Sequence, residues 1–529
     1  MAIEPISCER LKQLTDNDES FVLFDIREPG EFNSGHIPGA TSLPRRDIEF
    51  HLAQLVPVRS TRIVVVGDSD NRASLASKTL RLLGYENVVD LEGGFTSWVD
   101  SGKSKATGVN VPSKDFGERI HAEEKVPEIE PEQLHRLLDA GGRVLVLDVR
   151  TPEEYGRFCI PGGLNVPGGD LILWTADLTK DPETKVVINC AGRTRSIIGA
   201  QTLRRMGLKN VCALKNGTMG WLLAGLELEQ NPSRSGPGPS AVSCAAAGNQ
   251  AARIAAEEGI PLISVSELRD LLAHREHLTL YPIDVRSAEE YRDGHILGFL
   301  WLPGGQAIQR ADDFVPLRSG TIVFACDSMA RSVMAAYWYR RMGFKNVCAL
   351  AGGTREWIAS GLRLEKGEPP RQVLALERAR DSVQLIQSDE LSAGIAQDKN
   401  LTILDVGLSP EYKSGHLPGA CWISRGWLEL KISQIFPNRE SPLIVTCPNE
   451  EQSLFAAAAL RELGYRQVSV LKGGVESWKR EGKSLESGLT RMLVEPQDVV
   501  LSASVTGDKE AMRRYLEWEI ALGKKYEKS

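Results

Sequence analysis

The sequence contains one pattern four times, and this repetition constrains the fold more than any other feature. The segment LFDIREPGEFNSGHIPGA recurs as VLDVRTPEEYGRFCIPGG, PIDVRSAEEYRDGHILGF and ILDVGLSPEYKSGHLPGA, and LEGGFTSW recurs as LKNGTMGW, LAGGTREW and LKGGVESW. The first acidic residue of each copy precedes its final tryptophan by 73 residues: Asp25 and Trp98, Asp148 and Trp221, Asp284 and Trp357, Asp405 and Trp478. A fixed spacing of this kind indicates a repeated folding unit.

Within each copy, strand-like apolar runs alternate with helical patterns. Each copy has a helix, a strand ending in an acidic residue, an irregular loop, a buried strand, a short loop, a helix and a further strand. A glycine stands 17 residues past the start of the short loop, where a helix C-cap requires it: Gly84, Gly207, Gly343 and Gly464. The alternation predicts an α/β fold, in which a parallel sheet is flanked by helices on both faces. Ligands bind such sheets at the carboxyl ends of the strands, where the short loop lies.

The repeat spacing also predicts the domain organisation. We expect four domains and a tail that contains an amphipathic helix, at residues 1–105, 122–230, 250–368, 381–485 and 486–529. The tail shows no catalytic pattern. The segment between the second and third copies is rich in Gly, Pro and Ser, so we expect the main hinge near residues 231–249 and a close pairing of the first copy with the second.

Composition and charge exclude several classes of protein. The chain has 529 residues, of which 42% are hydrophobic and 25% charged, and its formal net charge of −7 argues against a nucleic-acid partner. It has no run of 18 apolar residues and no apolar signal-peptide core, so we expect a cytoplasmic protein without a membrane partner. Nine cysteines without a CxxC pair predict reduced thiols, and we expect no cofactor and no metal.

The short loop of the second copy, CAGRTRS, carries the most informative chemistry. Cys190 follows the apolar run KVVIN directly, and a helical pattern begins at the end of the loop. Backbone N–H groups at such a strand-to-helix turn bind an anion. The positive electrostatic potential of these N–H groups, together with Arg193 and Arg195, lowers the pKa of a thiol in the loop. We therefore expect Cys190 to be thiolate-rich and nucleophilic near neutral pH.

The repeated motifs together resemble the rhodanese sulfurtransferases. The Asp-Val-Arg segment with its following Glu-Tyr, the Gly-His-Ile-Pro-Gly turn, the cysteine loop and Gly-Gly-x-x-x-Trp carry the resemblance over about 400 of the 529 residues. It implies four tandem rhodanese-like domains. It also implies a thiolate that takes the outer sulfur of thiosulfate, releases sulfite, and passes the persulfide sulfur to cyanide or a thiol. On this basis Cys190 is catalytic, and the anionic donor is bound by Arg150, Arg193, Arg195 and Ser196.

Two other functions stay open. Cysteine phosphatases and arsenate reductases resemble this fold but place an arginine at the sixth position after the cysteine, for a bidentate grip on a tetrahedral oxyanion. Here Arg195 and Arg331 stand at the fifth position, and Ser196 and Ser332 at the sixth, so the shorter loop favours sulfur over phosphorus. The second alternative is a non-catalytic or persulfide-carrying scaffold, because two of the four loops are degraded.

The other three loops differ from CAGRTRS in ways that predict different activities. The first copy has GDSDNRA, in which Gly67 cannot act as a nucleophile. The third has CDSMARS, where Asp327 should weaken anion capture; we expect a second centre formed by Cys326 with Arg286, Arg331 and Ser332. The fourth, CPNEEQS, adds two acids and has Gln452 in place of the arginine, so Cys447 is interpreted as vestigial.

Overall fold

The structure is a computed structural model that describes residues 5–178, 180–234, 238–397 and 401–526. Each of the four repeats forms its own parallel sheet with helices packed against it, as the sequence pattern predicts. Each sheet has a central pair of strands that is buried along nearly its whole length, because helices cover both faces.

The first repeat forms a four-stranded sheet in the order β2-β1-β3-β4. Its elements are α1 (Cys8–Asp16), β1 (Val22–Asp25), α2 (Pro29–Ser34), β2 (Thr41–Ser42), α3 (Ile48–Leu55), β3 (Ile63–Val66), α4 (Arg72–Leu82), β4 (Val88–Asp90) and α5 (Gly94–Asp100).

The second repeat forms a five-stranded sheet in the order β5-β10-β9-β6-β8, together with a small antiparallel pair, β11 and β7. A helix precedes it, and the elements are α6 (Val111–Glu124), β5 (Glu128–Ile129), α7 (Pro131–Asp139), β6 (Val144–Asp148), α8 (Pro152–Arg157), β7 (Phe158–Cys159), β8 (Leu164–Asn165), α9 (Thr175–Leu178), β9 (Lys185–Asn189), α10 (Thr194–Arg205), β10 (Val211–Leu214), α11 (Gly217–Leu223) and β11 (Glu229–Gln230).

The third repeat has the sheet order β12-β16-β15-β13-β14. Its elements are α12 (Ala241–Glu257), β12 (Leu262–Ile263), α13 (Val265–Ala273), β13 (Leu280–Asp284), α14 (Ala288–Asp293), β14 (Leu300–Trp301), α15 (Gly304–Gln309), α16 (Ala311–Phe314), β15 (Thr321–Ala325), α17 (Ala330–Arg341), β16 (Val347–Leu350) and α18 (Gly353–Ala359).

The fourth repeat has the sheet order β17-β21-β20-β18-β19 and is followed by two tail helices. The elements are α19 (Leu376–Asp381), β17 (Gln384–Ile386), α20 (Ser388–Gln397), β18 (Thr402–Asp405), α21 (Ser409–Ser414), β19 (Cys421–Trp422), α22 (Arg425–Ile435), β20 (Leu443–Thr446), α23 (Glu451–Glu462), β21 (Val468–Leu471), α24 (Gly474–Arg480), α25 (Ala503–Thr506) and α26 (Lys509–Gly523).

The pairing of the repeats differs from the expectation. The chain divides into two compact units at Val109/Asn110, Pro370/Arg371 and Val500/Leu501, so that the first repeat joins the fourth and the start of the tail, and the second joins the third and the tail from Leu501 onwards. The segment near residues 231–249, expected to be the main hinge, instead leads into α12, which packs on both α9 and α17 inside one unit. The prediction was wrong because a Gly/Pro/Ser-rich connection reports local chain flexibility and carries no information about which surfaces are complementary.

In both units, the repeats meet through loops at the carboxyl edges of their sheets. In one unit, Gly169 and Gly304 approach so closely that a Cβ added to Gly169 would lie 2.9 Å from the Cα of Gly304. In the other unit, Glu28 accepts a 2.7 Å hydrogen bond from the hydroxyl of Ser424. Gly169, Gly304 and Ser424 follow the edge strands β8, β14 and β19, and Glu28 follows β1, so each repeat presents the carboxyl edge of its sheet to its partner within the unit.

Candidate active site

The loop of Cys190 lies between β9 and α10, at the carboxyl edge of the second sheet. Helix α11 holds the loop from one side: the backbone N–H of Thr218 donates to the carbonyl of Cys190 (2.9 Å), and that of Met219 donates to Ala191 (3.1 Å). Gly217, at the second position of the repeated Gly-Gly motif that reads Asn216-Gly217 in this repeat, has φ +56°, and a Cβ there would lie 2.3 Å from the Cys190 carbonyl oxygen. Gly217 therefore permits the close approach of α11 that ties back the loop carbonyls.

Cys190 is buried, with 2% of its surface exposed. Its Sγ lies 3.5 Å from the hydroxyl of Ser196, which itself donates to the carbonyl of Arg193 (2.8 Å). Burial raises the pKa of the Cys190 thiol, and Arg195 and Ser196 only partly offset this effect. The direction of this shift is opposite to the expectation of a thiolate-rich cysteine, because the desolvation of the sulfur outweighs the nearby positive charge.

The two loop arginines are both held by carboxylates. Arg195 forms a bidentate pair with Glu154 at 2.6 and 2.8 Å, and despite burial this pairing lowers the pKa of Glu154 to about 2. Arg193 forms a bidentate pair with Glu118 of α6 at 2.6 and 3.0 Å and contacts Glu128 at 3.2 Å. The structure thus brings Arg193, Arg195 and Ser196 to the loop, with the arginine charges already partnered.

Arg150 lies at the end of β6 but is bound elsewhere. Its guanidinium forms hydrogen bonds of 2.7 to 3.1 Å with Asp148, and it donates to the carbonyl of Phe158 at 2.5 Å. The side chain is 1% exposed. The geometry therefore gives Arg150 a role in tying the strand end to the turn before β7, and Arg286 repeats this arrangement with Asp284 and the carbonyl of Gly294.

The tail helix α26 covers the Cys190 loop. The carboxylate of Glu519 accepts hydrogen bonds from the backbone N–H of Thr194 (3.3 Å) and from its hydroxyl (2.7 Å), at the first residue of α10. Glu519 is 1% exposed, and a Cβ built on Gly192 would lie 3.2 Å from its Oε2 and 3.4 Å from the ring of Tyr515. This contact was not predictable from the sequence, because Thr194 and Glu519 are 325 residues apart.

Glu154, in contrast, belongs to the repeated Glu-Tyr motif, for which the sequence alone assigned no role. The same glutamate recurs six residues after each repeated aspartate: Glu31, Glu154, Glu290 and Glu411. In the first three repeats it pairs with the loop arginine: Arg72, Arg195 and Arg331. The fourth repeat has lost that arginine but keeps the glutamate.

The third loop places Cys326, Arg331 and Ser332 in the same relation. Cys326 is fully buried, and its Sγ lies 3.5 Å from the hydroxyl of Ser332. Arg331 contacts three carboxylates, those of Glu290 (2.6 Å), Asp170 (2.8 Å) and Asp327 (3.0 Å). The positive charge available to an anionic donor is consequently smaller here than in the second loop.

The fourth loop is the least suited to an anion. Burial raises the pKa of Cys447 to about 11, and Glu450 points its carboxylate into the loop region, where it accepts from the backbone N–H of Gly473 at 2.5 Å. Because Gly407 replaces the strand-end arginine, burial raises the pKa of Asp405 to about 7. In the first repeat Gly67 leaves no thiol, and Arg72 is held by Glu31.

Over residues 5–178, 180–234, 238–397 and 401–526, the structure has no group of three or more His, Cys, Asp or Glu side chains placed to hold a metal ion. Over the same residues, its helices all lack the length and apolar character needed to cross a membrane.

Comparisons with known proteins agree with the repeated architecture. The family model described as the rhodanese-like domain matches residues 7–101, 130–224, 264–360 and 387–481. A solved structure, the thiosulfate sulfurtransferase from Pseudomonas aeruginosa, is 32% identical with a TM-score of 0.91, and the alignment covers 99% of this chain and 98% of that one. The likeness therefore extends over all four repeats and the tail.

Curated relatives match single repeats. The thiosulfate sulfurtransferase GlpE of Pseudoalteromonas translucida is 32% identical over 98 residues, which are 18% of this chain and 90% of that protein. The putative sulfur carrier protein YrkF of Bacillus subtilis is 31% identical over 97 residues, which are 18% of this chain and 51% of that protein. The chain thus spans about half the length of this second relative.

Proposed function

Since the chain belongs to the rhodanese-like domain family of sulfurtransferases, we propose that it is a thiosulfate sulfurtransferase whose principal nucleophile is Cys190. The observation that carries the proposal is the position of its Sγ, at the start of α10 and 3.5 Å from Ser196, with Arg195 fixed beside the loop by Glu154. The names of the similar proteins, thiosulfate sulfurtransferase and sulfur carrier, support this assignment.

In the proposed reaction, the Cys190 thiolate attacks the outer sulfur of thiosulfate. A new S–S bond forms to the cysteine, the S–S bond of thiosulfate breaks, and sulfite leaves with the electron pair of that bond. The product is a Cys190 persulfide. A cyanide ion or a thiolate then attacks the outer sulfur of the persulfide and releases the Cys190 thiolate.

The protein's part in this reaction is to hold and stabilise negative charge. The persulfide anion would lie at the amino end of α10, where backbone N–H groups stabilise it and the Ser196 hydroxyl would donate to it by rotating away from the Arg193 carbonyl. Arg195 supplies a nearby charge that lowers the thiol pKa against the effect of burial.

Cys326 is proposed as a second, weaker centre. Its loop geometry matches that of Cys190, but Arg331 is surrounded by Glu290, Asp170 and Asp327. Because these carboxylates screen the arginine and repel an anion, we expect slower sulfur uptake at Cys326 from thiosulfate.

A persulfide-carrying scaffold is the second candidate, favoured by the burial of all three loop cysteines, each 2% exposed or less. The two functions differ in their donor, since a carrier receives sulfur from another protein and is inert to free thiosulfate.

The deciding experiment measures thiosulfate-to-cyanide transfer by the wild type and by Cys190→Ser, Cys326→Ser and Cys447→Ser. We expect Cys190→Ser to lose most of the rate, Cys326→Ser to lose a minor part, and Cys447→Ser to match the wild type. An undiminished rate in Cys190→Ser contradicts the assignment. Intact-protein mass after brief thiosulfate treatment counts the cysteines that carry an extra sulfur, and a count of zero for the wild type supports the carrier.

A further inference from the structure

The end of α26 places a carboxylate where a donor anion would be expected. Thr194 is the first residue of α10, a helix of 12 residues, and its backbone N–H and hydroxyl both donate to Oε1 of Glu519. Free N–H groups at a helix start bind sulfate-like and carboxylate oxygens in the same way. Glu519 therefore accepts the hydrogen bonds from Thr194 that an anionic substrate would need.

This carboxylate is enclosed by the protein. Glu519 is 1% exposed, and among the described residues its Oε2 is a buried oxygen without a hydrogen-bond partner. Oε2 faces Gly192, in the middle of the Cys190 loop, where a side chain would meet it at 3.2 Å. A buried carboxylate with one unsatisfied oxygen is costly, so its position is not explained by the stability of the helix contact alone.

Arg193 and the buried Lys114 offset part of the negative charge of Glu519, but the loop arginines are held mainly by other carboxylates. Arg193 is bound by Glu118 and Glu128, and Arg195 is bound by Glu154, so both guanidinium groups already have carboxylate partners. The Glu519 carboxylate also opposes ionisation of Cys190, since it adds negative charge beside the sulfur. An incoming dianion must displace Glu519 or accept its repulsion at short range.

We propose that Glu519 is a specificity-determining residue of the Cys190 site: its carboxylate occupies the hydrogen-bonding position of the donor anion on Thr194 and disfavours doubly charged donors relative to singly charged ones. This inference rests on the proposed sulfur transfer at Cys190. The preferred class of donor is a small sulfane-sulfur compound with a single negative charge, such as an alkyl thiosulfonate. With that donor the Cys190 thiolate takes the outer sulfur, and the alkylsulfinate leaves with the electron pair of the broken S–S bond.

The test compares thiosulfate with methanethiosulfonate in a Cys326→Ser/Cys447→Ser background, so that only Cys190 reports. Glu519→Gln keeps the size of the side chain and removes its charge, and Glu517→Gln is the matched control, because Glu517 is exposed on the same helix. For Glu519→Gln we expect kcat/KM for thiosulfate to rise about tenfold, the scale of one charged hydrogen bond, and that for methanethiosulfonate to rise less than about threefold. Glu517→Gln should leave both unchanged.

Two results overturn the proposal: an unchanged or lower kcat/KM for thiosulfate in Glu519→Gln, or an equal rise for both donors, which indicates undocking of α26 rather than loss of charge. Calorimetric binding of thiosulfate to Cys190→Ser and to Cys190→Ser/Glu519→Gln separates this inference from the proposed function. Tighter binding by the double variant supports the role of Glu519 even when sulfur transfer is absent. Equal binding contradicts that role, whatever the wild-type activity.

Discussion

Replacing Gly217 by alanine tests whether α11 positions the Cys190 loop. The Cβ of alanine would lie 2.3 Å from the carbonyl oxygen of Cys190 and 2.7 Å from that of Gly192. Gly225, two residues after α11, provides a matched control: its φ is +79°, close to the +56° of Gly217, but its Cβ would meet nothing within 4 Å. The two substitutions share the backbone strain and differ in the collision with the loop.

The expected magnitudes follow from these distances. An alanine in the left-handed region costs about 1 to 2 kcal/mol, and both variants bear this cost. In Gly217→Ala the loop carbonyl must also retreat by about 0.7 Å to reach the 3.0 Å limit of real Cβ contacts, which breaks its hydrogen bond from Thr218. That bond is worth about 1 kcal/mol, so we expect a total loss of about 2 to 3 kcal/mol.

The assay is thermal unfolding of both variants together with sulfur uptake at Cys190. Each kcal/mol lowers Tm by about 2 to 4 °C for a unit of this size. A displacement of the nucleophile approaching 1 Å can lower kcat/KM by about 100-fold, so Gly217→Ala should lose activity and Gly225→Ala should retain it. Equal Tm values and equal activities in the two variants would refute the argument that contact with α11 sets the position of the loop.

Three further predictions concern charge and protonation. The raised pKa of Cys190 predicts that the rate of its alkylation by iodoacetamide still increases as pH rises beyond the ordinary thiol pKa of about 9. Glu519→Gln should move this dependence of the alkylation rate on pH to lower pH. A rate that reaches its plateau below pH 8 in the wild type contradicts both statements. Arg195→Lys, which cannot keep the bidentate contact with Glu154, should lower kcat/KM for thiosulfate about tenfold or more, whereas Arg205→Lys, on the far end of α10, should leave it unchanged. Burial raises the pKa of Asp405 in the folded state to about 7, above its unfolded value, so its contribution to stability is complete below about pH 4 and is lost as pH rises towards 7. Asp405→Asn should therefore be more stable than the wild type at pH 8, by at most about 4 kcal/mol. An equal Tm of the two proteins at pH 8 would argue against a buried neutral acid.

The sequence predicted the local structure of each repeat well. The strand before Cys190, the loop and the following helix have strong local signals, and Gly207 has the positive φ of +100° that its position after α10 predicts. Such features depend on neighbouring residues, whose effects on the backbone are known from elementary stereochemistry.

The pairing of repeats and the protonation of Cys190 were not predictable in the same way. The Ser424 contact of Glu28 joins residues 396 positions apart, and neither residue belongs to a periodic pattern. The pKa of Cys190 depends on how deeply α26 buries the loop, which is a property of the tertiary packing. A loop motif therefore predicts which chemical groups are present at a site, but it does not predict how far those groups are buried from water.

The order of the repeats along the chain has a consequence for biosynthesis. The first repeat is translated early, but its partner in the same unit begins at Arg371. The loop edge of the first repeat therefore stays without its partner until more than 260 residues of intervening chain have been made. The second and third repeats can fold together in the meantime, because they are adjacent in sequence and domains form as they emerge from the ribosome. Helix α26 reaches the Cys190 loop only after residue 509 has been made. A nascent chain therefore passes through a state in which the thiol is assembled but uncovered, and during that interval we expect it to react faster with oxidants and alkylating agents than in the finished protein.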